Sequence, residues 1–211
     1  GHVRIYEWNG TSWNQKGQDI NGEAWDDWSG FTVSMSSDGN SVAIGAPNNN
    51  AGGYDRGHVR VYNWNGTTWI QKGVDIDGEA DDDRSGYSVS MSADGNTLAI
   101  GAYQNDGTTG NINDNRGHVR IYEWNGTSWS QKGQDIDGEN TGDRSGRSVS
   151  MSSDGNTVAI GAHLADWDGT NSGHVRIYEW NGTSWNQKGQ DINGEAWDDW
   201  SGFTVSMSSD G

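Results

Sequence analysis

The phrase GHVR opens at Gly1, Gly57, Gly117 and Gly173, at intervals of 56, 60 and 56 residues (57−1, 117−57 and 173−117). A unit of this length, recurring at near-constant spacing, is one supersecondary module stacked on copies of itself. Each copy reads GHVR(I/V)Y-x-WNGT-x-W-x-QKG-x-DI-(N/D)-GE, then D-x-SG-x-(S/T)VSMS-x-DG. Residues 1–211 thus form a single array with repeats 1–56, 57–116, 117–172 and a truncated 173–211. Residues 1–39 and 173–211 are the same string, which predicts a longer array with a super-period of 172 residues (173−1).

Within a repeat the pattern is that of strands. Tyr87, Val89 and Met91 alternate with Ser88, Ser90 and Ser92, a period of two. Ala93-Asp94-Gly95-Asn96 is turn chemistry, and the β-branched, apolar run Thr97–Ala102 reads as a buried strand. A long Asn/Gly/Asp loop leads to a third strand, His118–Trp124. Asn125-Gly126 signals a type I′ hairpin, and Thr127–Ile136 forms a fourth, more polar strand. No helical period occurs. Four antiparallel strands per unit predict an all-β fold of propeller-type blades, with an open β-solenoid as the structural alternative.

Composition narrows the options. Only 30% of residues are hydrophobic and 33 are Gly, so a thick aliphatic core is excluded; the 13 Trp must supply much of the buried area. Regular aromatic spacing argues against disorder, despite a net charge of −17. That charge disfavours nucleic acid as a partner, because phosphate contacts need Lys/Arg patches. There is no Cys, and no apolar run reaches the roughly 18 residues of a membrane span.

The run SG(F/Y)(S/T)VSMS-x-DGN-(T/S)VAIGAP, best seen at Ser29–Pro47, followed by GHVRVY at Gly57–Tyr62, resembles the FG-GAP repeat of integrin α-chain propellers and related surface proteins. The resemblance covers essentially the whole chain. It implies an extracellular, usually seven-bladed propeller that binds or displays rather than catalyses. Members often carry a DxDxDG calcium loop between the first two strands of a blade. Here that place holds Ser36–Asn40 or Ser92–Asn96, each with one carboxylate, far short of the about six to eight oxygens Ca²⁺ takes. The family's frame places complete blades at about 29–76, 85–136 and 145–192, with two last strands in 1–20 and a first strand in 201–211. Three complete blades make an incomplete ring.

Several residue sets invite a functional reading. Asn9, Asn65, Asn125 and Asn181 each begin Asn-Gly-Thr, an N-glycosylation acceptor on a hairpin tip; the plainer reading is turn chemistry alone. An acidic loop recurs as Asp19, Asn21, Glu23, Asp27; Asp75, Asp77, Glu79, Asp83; Asp135, Asp137, Glu139, Asp143; and Asp191, Asn193, Glu195, Asp199. Alternating oxygens before a Gly suit Ca²⁺, the one cofactor the sequence suggests, although Asp capping backbone N–H groups explains the same pattern. The pairs Trp8 and Trp13, Trp64 and Trp69, Trp124 and Trp129, and Trp180 and Trp185 flank the hairpins, either as platforms for sugar rings or as packing between blades. Trp25, Trp28, Trp197 and Trp200 sit in the identical end copies and Trp167 in its own loop, where they suit a contact surface or local loop packing. His2, His58, His118 and His174 recur in every copy, which points to a scaffold role; His163 stands alone.

No nucleophile-elbow, zinc-protease, phosphate-loop or dinucleotide motif is present. The leading expectation is a non-enzymatic extracellular or cell-surface protein, structural or adhesive, in a filament or surface layer. Its partners would be copies of itself, neighbouring repeats, glycans or cell-surface proteins. A lectin-like or Ca²⁺-dependent adhesion propeller is the alternative, and a glycosidase-like propeller is a weaker third.

Overall fold

The structure, a computed structural model, describes residues 1–107, 111, 113–166 and 170–211. All its regular elements are strands, and they fall into the repeats. β1 (His2–Val3), β2 (Tyr6–Trp8), β3 (Trp13–Gln15) and β4 (Ile20–Asn21) make two small sheets, β1–β4 and β2–β3. β5 (Thr32–Met35), β6 (Ser41–Ala46), β7 (His58–Trp64), β8 (Trp69–Gln71) and β9 (Ile76–Asp77) make the first full blade. The second holds β10 (Ser88–Met91), β11 (Thr97–Ala102), β12 (His118–Trp124), β13 (Trp129–Gln131) and β14 (Ile136–Asp137). The third holds β15 (Ser145–Met151), β16 (Thr157–Ala162), β17 (His174–Trp180), β18 (Trp185–Gln187) and β19 (Ile192–Asn193). Pairing is antiparallel throughout each blade, and the three blades share one register. The fold is an all-β propeller type whose ring is not closed.

Three local features differ from the expectation. The outer strand, read as continuous over Thr127–Ile136, is two short strands, β13 and β14, both paired with β12. Between them Gly133 has φ +83°, a left-handed value that ends the first ladder and lets the chain return to the same edge. The Asn-Gly hairpin is not a type I′ turn. Trp124 pairs with Trp129 around a four-residue loop in which Gly126 takes the positive φ and Asn125 does not. Asn125 Oδ1 instead accepts the N–H groups of Thr127 and Ser128, both at 2.9 Å, a side-chain cap that fixes the loop. Finally, 201–211 forms no strand. It keeps one parallel bridge, Gly173 to Ser201, and the Met207 N–H donates to Ser150 Oγ at 3.0 Å.

The core lies between blades, not inside them. A single sheet has two faces and no interior, so each blade shares one core with each neighbour. Leu98 and Ile100 of β11 pack on Ala43, Val59 and Val61 of the first blade, while Ala99 between them faces the third. Val42 and Ile44 meet Ile5 and Ile20 in the same way. The large residues of the second strand thus face the preceding blade and the small ones the following blade, and the two faces interdigitate. The first strands lie side by side at the inner end: the Met91 N–H donates to Ser34 Oγ (3.0 Å) and the Met151 N–H to Ser90 Oγ (2.9 Å).

Glycine sets the closest approach. A Cβ on Gly101 would stand 2.1 Å from the Gly146 carbonyl oxygen of the next blade and 2.3 Å from Ser88 Oγ. Gly45 and Gly161 meet Gly86 and Gly202 in the same manner. Gly101→Ala should therefore cost about 1–3 kcal/mol, the usual penalty for overpacking. Urea denaturation measures it, and an unchanged midpoint would disprove the contact.

Candidate functional site

Each blade boundary carries two clusters, one apolar and one charged. The apolar cluster is the Trp pair. In the second blade Trp124 and Trp129 are cross-strand partners with ring centroids 5.5 Å apart. The Trp129 indole N–H donates to the Lys72 carbonyl of the preceding blade (2.8 Å). The Lys72 ammonium lies 5.2 Å and 5.1 Å from the centroids of Trp124 and Trp129 and donates to Gly95 O and Asn96 Oδ1. Lys16 serves Trp64 and Trp69, and Lys132 serves Trp180 and Trp185, with the same bonds. Gly73 follows Lys72 because the rings leave no room: a Cβ there would be 2.9 Å from Trp124. These three pairs are packed between blades, and Trp69 and Trp185 are buried. Trp8 and Trp13, the pair of the first repeat, are exposed.

A glutamine completes the clamp at two boundaries. Gln18 accepts the Trp69 N–H (3.1 Å) and donates to its carbonyl (2.9 Å); Gln134 does the same for Trp185. At the boundary between them the equivalent residue is Val74, which is exposed.

The charged cluster gathers around the repeated histidine. His58, His118 and His174 are 1–2% exposed, on the third strand of each blade. His58 Nδ1 stands 3.7 Å from Asp75 Oδ2 of its own blade, 3.9 Å from Glu23 Oε2 of the preceding repeat and 4.0 Å from Asp77 Oδ1. The second boundary repeats this with Glu79 (3.8 Å) and Asp135 (4.0 Å), and the third with Glu139 and Asp191. In each triad the glutamate and the first aspartate have the second oxygen engaged. Asp75 Oδ1 accepts from Gln71 Nε2 (2.6 Å), and Glu23 Oε1 faces Arg60 Nη1 (3.5 Å). Arg60 also donates to the Asn21 carbonyl of the preceding repeat (2.8 Å) and lies over Tyr62. Burial, ahead of the adjacent arginine, holds His118 down at about 4; burial first also lowers His58 and His174.

The acidic loop of the sequence is therefore divided between two tasks. Glu23, Asp75, Asp77, Glu79, Asp135, Glu139 and Asp191 converge on histidines. Asp27, Asp83, Asp143 and Asp199 cap the loop itself, each accepting a backbone N–H three residues back, as at Ala80 to Asp83 Oδ2 (2.9 Å). Burial raises Asp83 and Asp143 above the usual carboxylate range. Asn21, Asp137 and Asn193 sit on the short outer strands, Asp19 pairs with Arg4, and Glu195 is exposed. Among the described residues, no loop brings its own four members together as a metal-ligand group. Sequence reasoning missed the histidine cluster because its members come from two repeats and are separated by 52 (75−23) and 17 (75−58) positions.

The remaining residues stand apart. Asn9, Asn65, Asn125 and Asn181 lie on exposed tips, with Oδ1 bound by the turn. His163 packs edge-on against Phe203 and Trp200; burial, then Arg147 and Arg144, pushes it down to about 4. Trp25 and Trp197 are among the most exposed side chains, Trp28 stacks on Phe31, and Trp167 lies outside the described residues. The turn Asp38 is engaged by the Ser36 hydroxyl and the Asn40 N–H, which hold it below the usual carboxylate range.

Two outcomes follow. Val74→Gln should install the missing clamp and stabilise the protein by about 1 kcal/mol, the net worth of a hydrogen bond, measured by denaturant titration. NMR should show His118 and His163 neutral at pH 6 and protonating near 4. The unfolded chain takes up those protons near 6.5, so stability is full above 6.5 and falls between 6.5 and 4. Buried carboxylates with raised values, such as Asp83, offset part of the loss near its lower end. Midpoints near 6.5 for both histidines would contradict the burial.

Comparison with known proteins fits this architecture. No curated protein sequence matches significantly. A Bacteroides uniformis structure provisionally named a 6-phosphogluconolactonase is similar over 92% of this chain and 49% of its own, with 12% identity and a TM-score of 0.61. The β-propeller domain of the trilobed protease from Pyrococcus furiosus, described as having an open velcro topology, aligns with 90% of this chain and 50% of its own at 10% identity and a TM-score of 0.49. The chain thus spans about half the length of these structures, and the likeness to the first concerns fold alone. The FG-GAP repeat model matches residues 136–178, from the last strand of the second blade to the third strand of the third. The chain is a propeller-type array in which residues 136–178 match the FG-GAP repeat.

Proposed function

We propose that this chain is a non-enzymatic display scaffold of the cell surface or extracellular space, structural or adhesive in role. The observation that supports this most is the recurrence of the same contacts at the three blade boundaries. The tryptophan, lysine, histidine and arginine contacts recur at each with the same partners. A catalytic centre needs one constellation set apart from its copies, whereas here the polar side chains are spent on joining blades. What projects is four like hairpin tips. The FG-GAP match supports a surface setting, and that setting would make Asn9, Asn65, Asn125 and Asn181 glycan acceptors if the source is a eukaryote.

Electron microscopy of native material tests the assembly: filaments or a layer are expected, and dispersed discs with no binding to cells or matrix would defeat the structural reading. Peptide mass spectrometry should find glycan at the four tips, and unmodified peptides at all four would remove that part. A carbohydrate-binding role draws support from exposed Trp25 and Trp197 rather than from the packed hairpin pairs. A glycan array with and without Ca²⁺ separates it from the display reading, since only a lectin or cation-dependent adhesin gives specific signals there.

A further inference from the structure

We propose that each blade boundary is a binding site for a first-row divalent transition ion of the zinc class, formed jointly by two successive repeats. The sites are Glu23, His58 and Asp75; Glu79, His118 and Asp135; and Glu139, His174 and Asp191. In each, one imidazole nitrogen and two carboxylate oxygens lie within 4.8 Å of one another. Ligand atoms about 2.1 Å from a tetrahedral Zn²⁺ are about 3.4 Å apart. The observed 3.7–4.0 Å from His58 Nδ1 to its acidic neighbours is a few tenths of an ångström wider.

Two independent features favour a cation at this place. His58 Nδ1 and His174 Nδ1 are buried without a hydrogen-bond partner, an arrangement that costs free energy unless something fills it. The carboxylates are also oriented. Gln71 holds one oxygen of Asp75 and Arg60 faces one oxygen of Glu23, so the free oxygens point at the same nitrogen. Such outer contacts are what fix ligands in metal sites. Around His58, three carboxylates stand against the Arg60 guanidinium, a negative balance that a divalent cation offsets.

The donor set selects the ion. Imidazole suits Zn²⁺, Ni²⁺, Co²⁺ and Cu²⁺, whereas Ca²⁺ and Mg²⁺ take oxygen alone and Ca²⁺ needs about six to eight ligands. The glutamates and aspartates are partly exposed, so a water can fill the open position.

The test uses the full chain, stripped by chelator and titrated with Zn²⁺ under calorimetry and native mass spectrometry, with Co²⁺ as the spectroscopic probe. Three ions per chain are expected, with the intense visible Co²⁺ absorption of a low-coordinate nitrogen–oxygen site. Glu79→Gln should leave two ions, and the triple variant Glu23→Gln, Glu79→Gln, Glu139→Gln none, with circular dichroism reporting the fold. Gln131→Ala keeps every ligand and frees only Asp135, so it should weaken one site by about 10–100-fold even if the triple variant does not fold. No uptake at millimolar Zn²⁺, uptake indifferent to Glu79→Gln and Gln131→Ala, or equal competition by Ca²⁺ would each overturn the proposal.

Discussion

Between each blade and the next, an indole N–H donates to a lysine carbonyl of the blade before, and that lysine's ammonium lies over the same pair of rings. The rest of the molecule follows from this contact. A chain with 30% hydrophobic residues cannot fill a conventional core. It can cover a sheet face with a neighbour's face, and Trp supplies the area while Lys and Gln fill the polar edge. At the opposite end of the boundary, near the inner strands, paired glycines let two backbones approach more closely than any side chain allows. The inner end is narrow and the outer end broad, as stacking sheets around an axis requires.

Because each core belongs to two blades, stability is a sum of boundary terms. The boundary with Val74 lacks one clamp, so the boundaries are not energetically identical even though their strands share a register. The arginine at each boundary reaches a main-chain carbonyl of the previous repeat and faces its glutamate, so the charged cluster reinforces the same join. Structure and candidate chemistry therefore occupy the same surface: the side chains that hold blades together are also those that gather a histidine and two carboxylates.

Much of this was legible in the residues. The spacing of GHVR gave the module, alternation in SGYSVSMS and TLAIGA gave strand positions, and Asn-Gly and Asp-Gly marked the turns. The type of turn was not legible. Asn-Gly is compatible with a two-residue turn, and only the following Thr and Ser N–H groups, captured by Asn Oδ1, draw the loop out to four. Nor was the break in the outer strand, since Gly133 signals freedom of φ without saying that a ring of the next blade stands where its Cβ would be.

The sequence by itself determined the unit, its strands and the absence of a self-sufficient sheet core, because these depend on local periodicity and composition. Only the tertiary structure decided what the acidic residues do. Asp83 and Glu79 lie four positions apart in one loop, yet Asp83 caps its own backbone while Glu79 reaches the histidine of the next blade. That division depends on the rotation from one blade to the next, which brings residues from two repeats together in a way no pattern along the chain encodes.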